Sequence, residues 1–216
     1  VGYKAGLTNP AVQKRFNHDS PVWGGLYEKM LLDNGAVVDA AFGARALFEA
    51  DLLVRVSSTA INRATTAAEV IESIDQVIPF IELPDMVVAA PPKLNGAAVT
   101  AINVGARMGV LGTPIAVPAT RAERYQLLDA LREMTAVVSG NGSELDRGKG
   151  SDVLDQPLNA VVWLVGDIKR ENLALKVGDL VSLGSFSKLL PPQPGLAVSV
   201  EYRGLPGNPR VTVSFK

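Results

Sequence analysis

The sequence predicts an α+β fold built mostly from antiparallel strands. Short β-rich runs outnumber helical stretches, and the helices are scattered rather than alternating regularly with strands. In addition, Gly140-Asn141-Gly142 is a strong turn signal between two extended arms, which makes a hairpin. The 216 residues amount to about 1.4 average domains, and 47% of them are hydrophobic, enough for one core without disulfide or metal staples.

Taken in order, residues 1–35 are mixed and polar, with a short helix opening at Asn9-Pro10, a good N-cap followed by the residue best suited to the first helical position. Ala36–Ser58 is β-rich, and Ala46–Val56 at its centre reads as one long strand. After Thr65 and Thr66, the apolar residues Val70, Ile71, Ile74 and Val77/Ile78 recur at helical spacing, and Pro79 is expected to close that helix. Phe80–Leu83 continues as a strand. Residues 84–120 read as strands and loops rather than one element. Arg121–Ser139 fits a helical period in its first half and an extended one in its second. Gln156-Pro157-Leu158 starts a helix running to about Lys169, and three β-runs follow at Asp179–Ser185, Leu196–Tyr202 and Arg210–Phe215. No repeat of 20–50 residues is visible.

Composition excludes several chemistries. The chain has no Cys and one His, His18, so it carries no thiolate nucleophile, no Cys-zinc or iron–sulfur site and no two-imidazole metal site. A Ser–His–Asp triad would need His18, which stands among Asn17, Asp19 and Ser20 like an ordinary loop histidine. Lys plus Arg number 21 against 22 Asp plus Glu, without long runs of either sign, which argues against nucleic-acid and membrane-surface partners. The two longest charge-free stretches, Leu94–Ala106 and Met108–Thr120, fall short of the roughly 18 residues a membrane span needs. Arg147-Gly148-Lys149-Gly150-Ser151 fails the phosphate-loop pattern, and Asn141-Gly142-Ser143 is a hairpin turn before it is a glycosylation acceptor.

Carboxylates, Lys and Tyr therefore remain for chemistry. On a strand, Glu49 and Asp51 share one face while Phe48, Ala50, Leu52 and Val54 share the other. Two acids side by side need water, basic partners or a cation. Glu82 lies inside the apolar run Val77–Leu83, where an unpaired charge is expensive. Three carboxylates converging from two strands would make an all-oxygen site of the kind magnesium or manganese prefers. The competing interpretation places Glu49 and Asp51 on a solvated edge strand with Arg45 and Arg55 as exposed partners. Lys4, bracketed by small and apolar residues in Gly2-Tyr3-Lys4-Ala5-Gly6-Leu7-Thr8, is either a desolvated proton carrier or a lysine snorkelling to the surface.

Read together, Lys4-Ala5-Gly6-Leu7-Thr8, Pro21-Val22-Trp23-Gly24, Glu49-Ala50-Asp51, Pro79-Phe80-Ile81-Glu82, Gly148-Lys149-Gly150-Ser151, Gln156-Pro157-Leu158-Asn159-Ala160 and Trp163-Leu164 resemble, in order and approximate spacing, the 2-keto-4-pentenoate hydratase branch of the fumarylacetoacetate hydrolase superfamily. The resemblance runs from residue 1 to about 215. It implies a mixed β-roll with a few peripheral helices, a single catalytic domain over 1–216, and a cleft holding Mg2+ or Mn2+. Glu49, Asp51 and Glu82 fall on the family's metal-ligand positions, Lys4 on its proton-transfer lysine, and Ser151 and Ser185 on segments that imply substrate binding.

The implied activity is that of a metal-dependent lyase on small 2-oxo or 2-hydroxydienoic acids from aromatic-ring breakdown, most simply a hydratase forming a 4-hydroxy-2-oxo acid. A 2-oxo-enedioate decarboxylase, an acylpyruvate-type carbon–carbon hydrolase and a non-catalytic small-acid binder stay open. A homo-oligomer is expected, with the Pro-rich loop Leu189–Gly195 as an interface or a lid, and cytoplasmic residence is the default. Four departures stand against the hydratase: Val22 and Ile102 replace acids common in the family, Leu183 replaces a Thr in Ser182-Leu183-Gly184-Ser185, and the sequence begins almost at the Lys4 motif where relatives carry a helical segment. A preceding piece, including any targeting signal, is expected.

Overall fold

The computed structural model describes residues 1–88 and 94–216. Its elements are β1 (Gly2–Gly6), α1 (Pro10–Arg15), β2 (Val22–Leu26), β3 (Leu31–Leu32), β4 (Ala36–Val38), β5 (Glu49–Val56), α2 (Ala67–Ile71), β6 (Ile74–Leu83), α3 (Gly96–Ala101), β7 (Met108–Leu111), β8 (Ile115–Ala116), α4 (Arg121–Glu133), β9 (Thr135–Gly140), β10 (Ser143–Lys149), α5 (Asn159–Ile168), β11 (Leu180–Ser182), β12 (Ala197–Arg203) and β13 (Arg210–Phe215). The strands form two sheets. One runs β2-β1-β11-β5-β6-β7-β3, with β8 also on β6; the other runs β10-β9-β12-β13-β4. Pairing is antiparallel except for β1/β11, β3/β7 and β13/β4. This is the expected α+β architecture, mostly β and mixed.

One face of the first sheet packs against the second sheet and against α2, α4 and α5. Phe48, Ala50, Leu52 and Val54 from β5 and its lead-in meet Ile81 and Leu83 of β6, Val138 of β9, Val200 and Tyr202 of β12, Phe215 of β13 and Leu164 of α5 in one continuous core. The opposite face of β5 and β6 carries a small apolar cluster, Leu53, Ile78 and Phe80 with Leu26, and beyond it the polar residues treated below. The face assignment read from strand alternation therefore holds.

Two elements differ from expectation. The helix expected over Ala67–Ile78 stops at Ile71, and Ile74 already opens the ten-residue strand β6. Helical spacing misled because β6 is buried on both faces and shows no alternation. Pro79 does not end a helix; it sits within the central strand. β7 covers Phe80–Leu83 and β8 covers Gln76–Val77, so the missing N–H of Pro79 falls opposite the break between them, where Gly112 donates to the Pro79 carbonyl at 2.8 Å. Within residues 84–120, α3 is an additional helix, and 89–93 lie outside the described residues. Arg121–Ser139 divides into α4 and β9, split at Met134. The hairpin at 140–142 and the last two strands stand where expected, and the β-run expected over Asp179–Ser185 shortens to β11. No helix among the described residues is long and apolar enough to cross a membrane.

Candidate active site

Sheet register gathers the acids and the lysine. Glu49 of β5 lies directly opposite Glu82 of β6, and Asp51 is the next residue along that face of β5. β11 bridges β5 to β1: Ser182 pairs with Leu53 on one side and Lys4 on the other. Thus β5 has a strand on each side, which removes the solvated-edge alternative. Lys4 is 4% exposed, Glu49 7%, Asp51 0% and Glu82 2%, so Lys4 does not snorkel either. Arg55 pairs instead with Asp75 in a half-exposed bidentate bridge away from these groups.

Each group is held in a particular way. The Lys4 ammonium pairs with Glu82 and donates to the Val104 carbonyl at 2.8 Å. Val104 has φ +57°, an uncommon conformation for a β-branched side chain, and it is flanked by Asn103 and Gly105 in the same region. Asn103 anchors this turn by donating from its amide to the Gly25 carbonyl (2.9 Å) and accepting from the Gly25 N–H (2.7 Å). Asp51 accepts from the N–H of Leu52 (2.6 Å), the N–H of Gly184 (3.0 Å) and the Ser182 hydroxyl. Gly184 is at φ +96° with the Thr8 side chain where a Cβ would stand, so the close approach of this turn to Asp51 requires glycine. From the second sheet, the fully buried Tyr202 hydroxyl reaches between the carbonyls of Asp51 and Phe80, 2.8 Å from the latter.

The electrostatics follow from burial. Loss of solvation, then repulsion from Glu82, pushes Glu49 and Asp51 well above the ordinary carboxylate range; Lys4 only partly offsets this. For Lys4, burial pulls the pKa down, but Glu82, Glu49 and Asp51 together outweigh it and hold the ammonium charged above its ordinary value. Three buried carboxylates thus face one ammonium, and Oε2 of Glu82 is buried with no hydrogen-bond partner. Excess negative charge, an all-oxygen donor set and an orphaned carboxylate oxygen fit a hard divalent cation. The oxygens are not gathered into a ready ligand cage: among the described residues no group of three His, Cys, Asp or Glu is placed as one. In this conformation Asp51 is turned to its amide and hydroxyl donors and Glu82 to Lys4.

Ser185 stands beside Glu49 and draws its pKa down slightly, while its hydroxyl donates to the Ser187 carbonyl at 2.6 Å. Ser151 is half-buried on the 3-10 turn Gly150–Asp152 and has no hydrogen bond to Lys4, Glu49, Asp51 or Glu82 among the described residues. Val22 packs with Val99 and Val104, and Leu183 is in the main core. His18 is half-buried, with its ring packed against Gly96 and its Nε2 3.3 Å from Ser20 Oγ. Sequence reasoning missed Ser182, the Gly184 amide, Tyr202 and the Val104 carbonyl. Only Gly184 carried a signal, as the glycine of Ser182-Leu183-Gly184-Ser185 at the end of a β-run.

No family model matches the chain. It is 28% identical over 196 residues to a 2-keto-4-pentenoate hydratase of Paraburkholderia xenovorans, covering 90% of this chain and 69% of that one. A 2-oxo-hept-4-ene-1,7-dioate hydratase of Escherichia coli is 27% identical over 209 residues, covering 93% and 74%. Among solved structures, the 4-oxalocrotonate decarboxylase of Pseudomonas putida G7, complexed with magnesium and adipate, superposes with a TM-score of 0.85 at 25% identity over 100% of this chain and 78% of that one. The ordered motifs, the mixed fold and the buried carboxylate–lysine cluster agree with this similarity, which points to the 2-keto-4-pentenoate hydratase branch of the fumarylacetoacetate hydrolase superfamily.

Proposed function

We propose that the chain is a divalent-metal-dependent lyase that hydrates a small 2-hydroxy-2,4-dienoic acid of the 2-keto-4-pentenoate type to a 4-hydroxy-2-oxo acid. The observation that carries this reading is the burial of Glu49, Asp51 and Glu82 around the single ammonium of Lys4 on one sheet face. Glu49, Asp51 and Glu82 would hold Mg2+ or Mn2+, which when bound supplies Lewis acidity toward the carboxylate and 2-oxygen of a 2-oxo acid. Lys4, kept charged and fixed by Glu82 and Val104, is the group positioned to deliver a proton to the substrate's carbon chain. Burial of the cluster excludes bulk water, which strengthens each of these interactions. Ser185, beside Glu49, is assigned to a substrate oxygen. Ser151 is assigned likewise, following Gly148, whose backbone packs against the Phe186 carbonyl.

One observation favours a second reading, decarboxylation of a 2-oxo-enedioate. Val22, where a second acid could have served water activation, is packed in an apolar cluster with Val99 and Val104. Decarboxylation needs proton delivery to carbon but no activated water. Product analysis with magnesium and each substrate separates the two, a hydroxy acid from one and carbon dioxide from the other. Lys4→Met is expected to lower kcat by about 10²–10⁴, the usual worth of a positioned acid–base group. Full metal-dependent turnover by Glu82→Ala would show that the site has been misassigned. A homo-oligomer is part of the proposal, with the Leu189–Gly195 loop as its interface; a monomer in sedimentation at micromolar concentration removes it.

A further inference from the structure

Two buried side-chain polar atoms find no hydrogen-bond partner among the described residues, Oε2 of Glu82 and Nη1 of Arg45. Buried polar groups are nearly always paired, so such an orphan calls for a partner from outside the chain. The Glu82 oxygen belongs to the site above. The Arg45 nitrogen is unused by it, yet both lie at the same end of one ladder. Leu47 donates from its N–H to the Pro84 carbonyl (3.0 Å), Met86 to the Arg45 carbonyl (3.2 Å), and Ala46 bridges Asp85. The Glu49–Glu82 register therefore continues to Arg45 without a slip. Strand alternation gives Arg45, Leu47 and Glu49 a common face.

The backbone of Arg45 is fixed while its guanidinium is not engaged. Asp85 accepts from the N–H of Ala44 (3.1 Å) and of Arg45 (2.7 Å), and Gly43 leaves the room its carboxylate fills, only 2.3 Å from where a Cβ would stand. Asp85 is thus committed to backbone amides, and Arg45 enters no ion pair among the described residues. The face reads as a ruler: carboxylates at Glu49 and Glu82, an apolar step at Leu47 and Pro84, then a half-buried guanidinium.

We propose that Arg45 binds a second, distal carboxylate of the substrate, so that the site takes a dicarboxylic 2-oxo acid. This rests on the reading of Glu49, Asp51 and Glu82 as the head-group site, and it moves the substrate from the monocarboxylic pentenoate to the diacids of the second reading above. Arg45 lies four positions before Glu49 on this extended lead-in, about 13 Å at 3.3 Å per residue. The long Arg side chain and a few methylenes share that span, and the planar guanidinium suits a carboxylate bidentately.

The test is calorimetric binding of 2-oxoadipate and 2-oxohexanoate, which differ only in the terminal carboxylate, with magnesium present. The proteins are the wild type, Arg45→Met, Arg45→Lys and Glu82→Gln. The wild type is expected to prefer the diacid at least tenfold, Arg45→Met to bind both acids at the monoacid's affinity, and Arg45→Lys to recover part of the preference. Equal wild-type affinities, or a Met variant that weakens both acids alike, overturns the proposal. A diacid preference that survives both metal removal and Glu82→Gln sinks the head-group reading but keeps Arg45. Metal-dependent binding without discrimination does the reverse, and no binding at all overturns both. Should Arg45→Met not fold, Arg45→Gln is measured in its place.

Discussion

At the scale of single residues, Lys4 is the side chain whose removal unbalances the site most. Its ammonium, paired with Glu82, is the only cation in an ion pair with this carboxylate cluster among the described residues. Lys4→Met is expected to destabilise the metal-free protein by about 3–5 kcal/mol, the cost of leaving buried charge uncompensated, and magnesium should recover much of that loss in urea titrations. Tyr202→Phe removes the hydroxyl whose single proton serves the carbonyls of Asp51 and Phe80, which leaves a fully buried position without its donor. A loss of about 1–3 kcal/mol is expected by the same titration. At this scale the sequence was legible where a charge interrupts an apolar pattern, as at Glu49, Asp51 and Glu82. It was silent on the Val104 carbonyl: nothing in the residue types marks it, because it is placed by a turn that closes over a long separation.

At the scale of elements, β6 is the instructive case. Its sequence satisfies a helical period and contains a proline, yet it is the central partner of β5, β7 and β8. Tertiary burial on both faces erased the alternation that identifies strands elsewhere, such as β12 and β13, whose burial alternates cleanly. The β6/β7 contact also yields a prediction. Gly109 pairs with Glu82, and the Phe80 ring lies over it, 1.9 Å from where a Cβ would stand. Gly109→Ala should push Phe80 off its position beside Asp51 and cost about 1–3 kcal/mol, read as a lower urea midpoint at unchanged m-value.

At the scale of the whole molecule, the site is a property of sheet assembly. Lys4 comes from β1, the acids from β5 and β6, Ser182 from β11, and the Tyr202 brace from the other sheet, so the cluster exists only when the chain is folded. Its protonation is then linked to stability. With Glu49 and Asp51 raised, the folded metal-free protein binds more protons than the unfolded chain above the ordinary carboxylate range of about 4. Metal-free stability should therefore fall as pH rises through the window above that value. A bound divalent cation requires ionised carboxylates, so added magnesium should stabilise more at pH 7 than at pH 5, in melts across that range.

The most direct measurement of the central claim, that this cluster is a divalent-metal site for 2-oxo acids, is thermal melting of chelator-stripped protein with magnesium or manganese restored, each with and without oxalate. A ligand at 100 times its dissociation constant adds about 2.7 kcal/mol, and each kcal/mol raises Tm by roughly 2–4 °C at this size. A rise of several degrees is expected with metal, and a further rise with oxalate only when metal is present. An unchanged Tm in every condition, or an oxalate effect independent of metal, would contradict the claim.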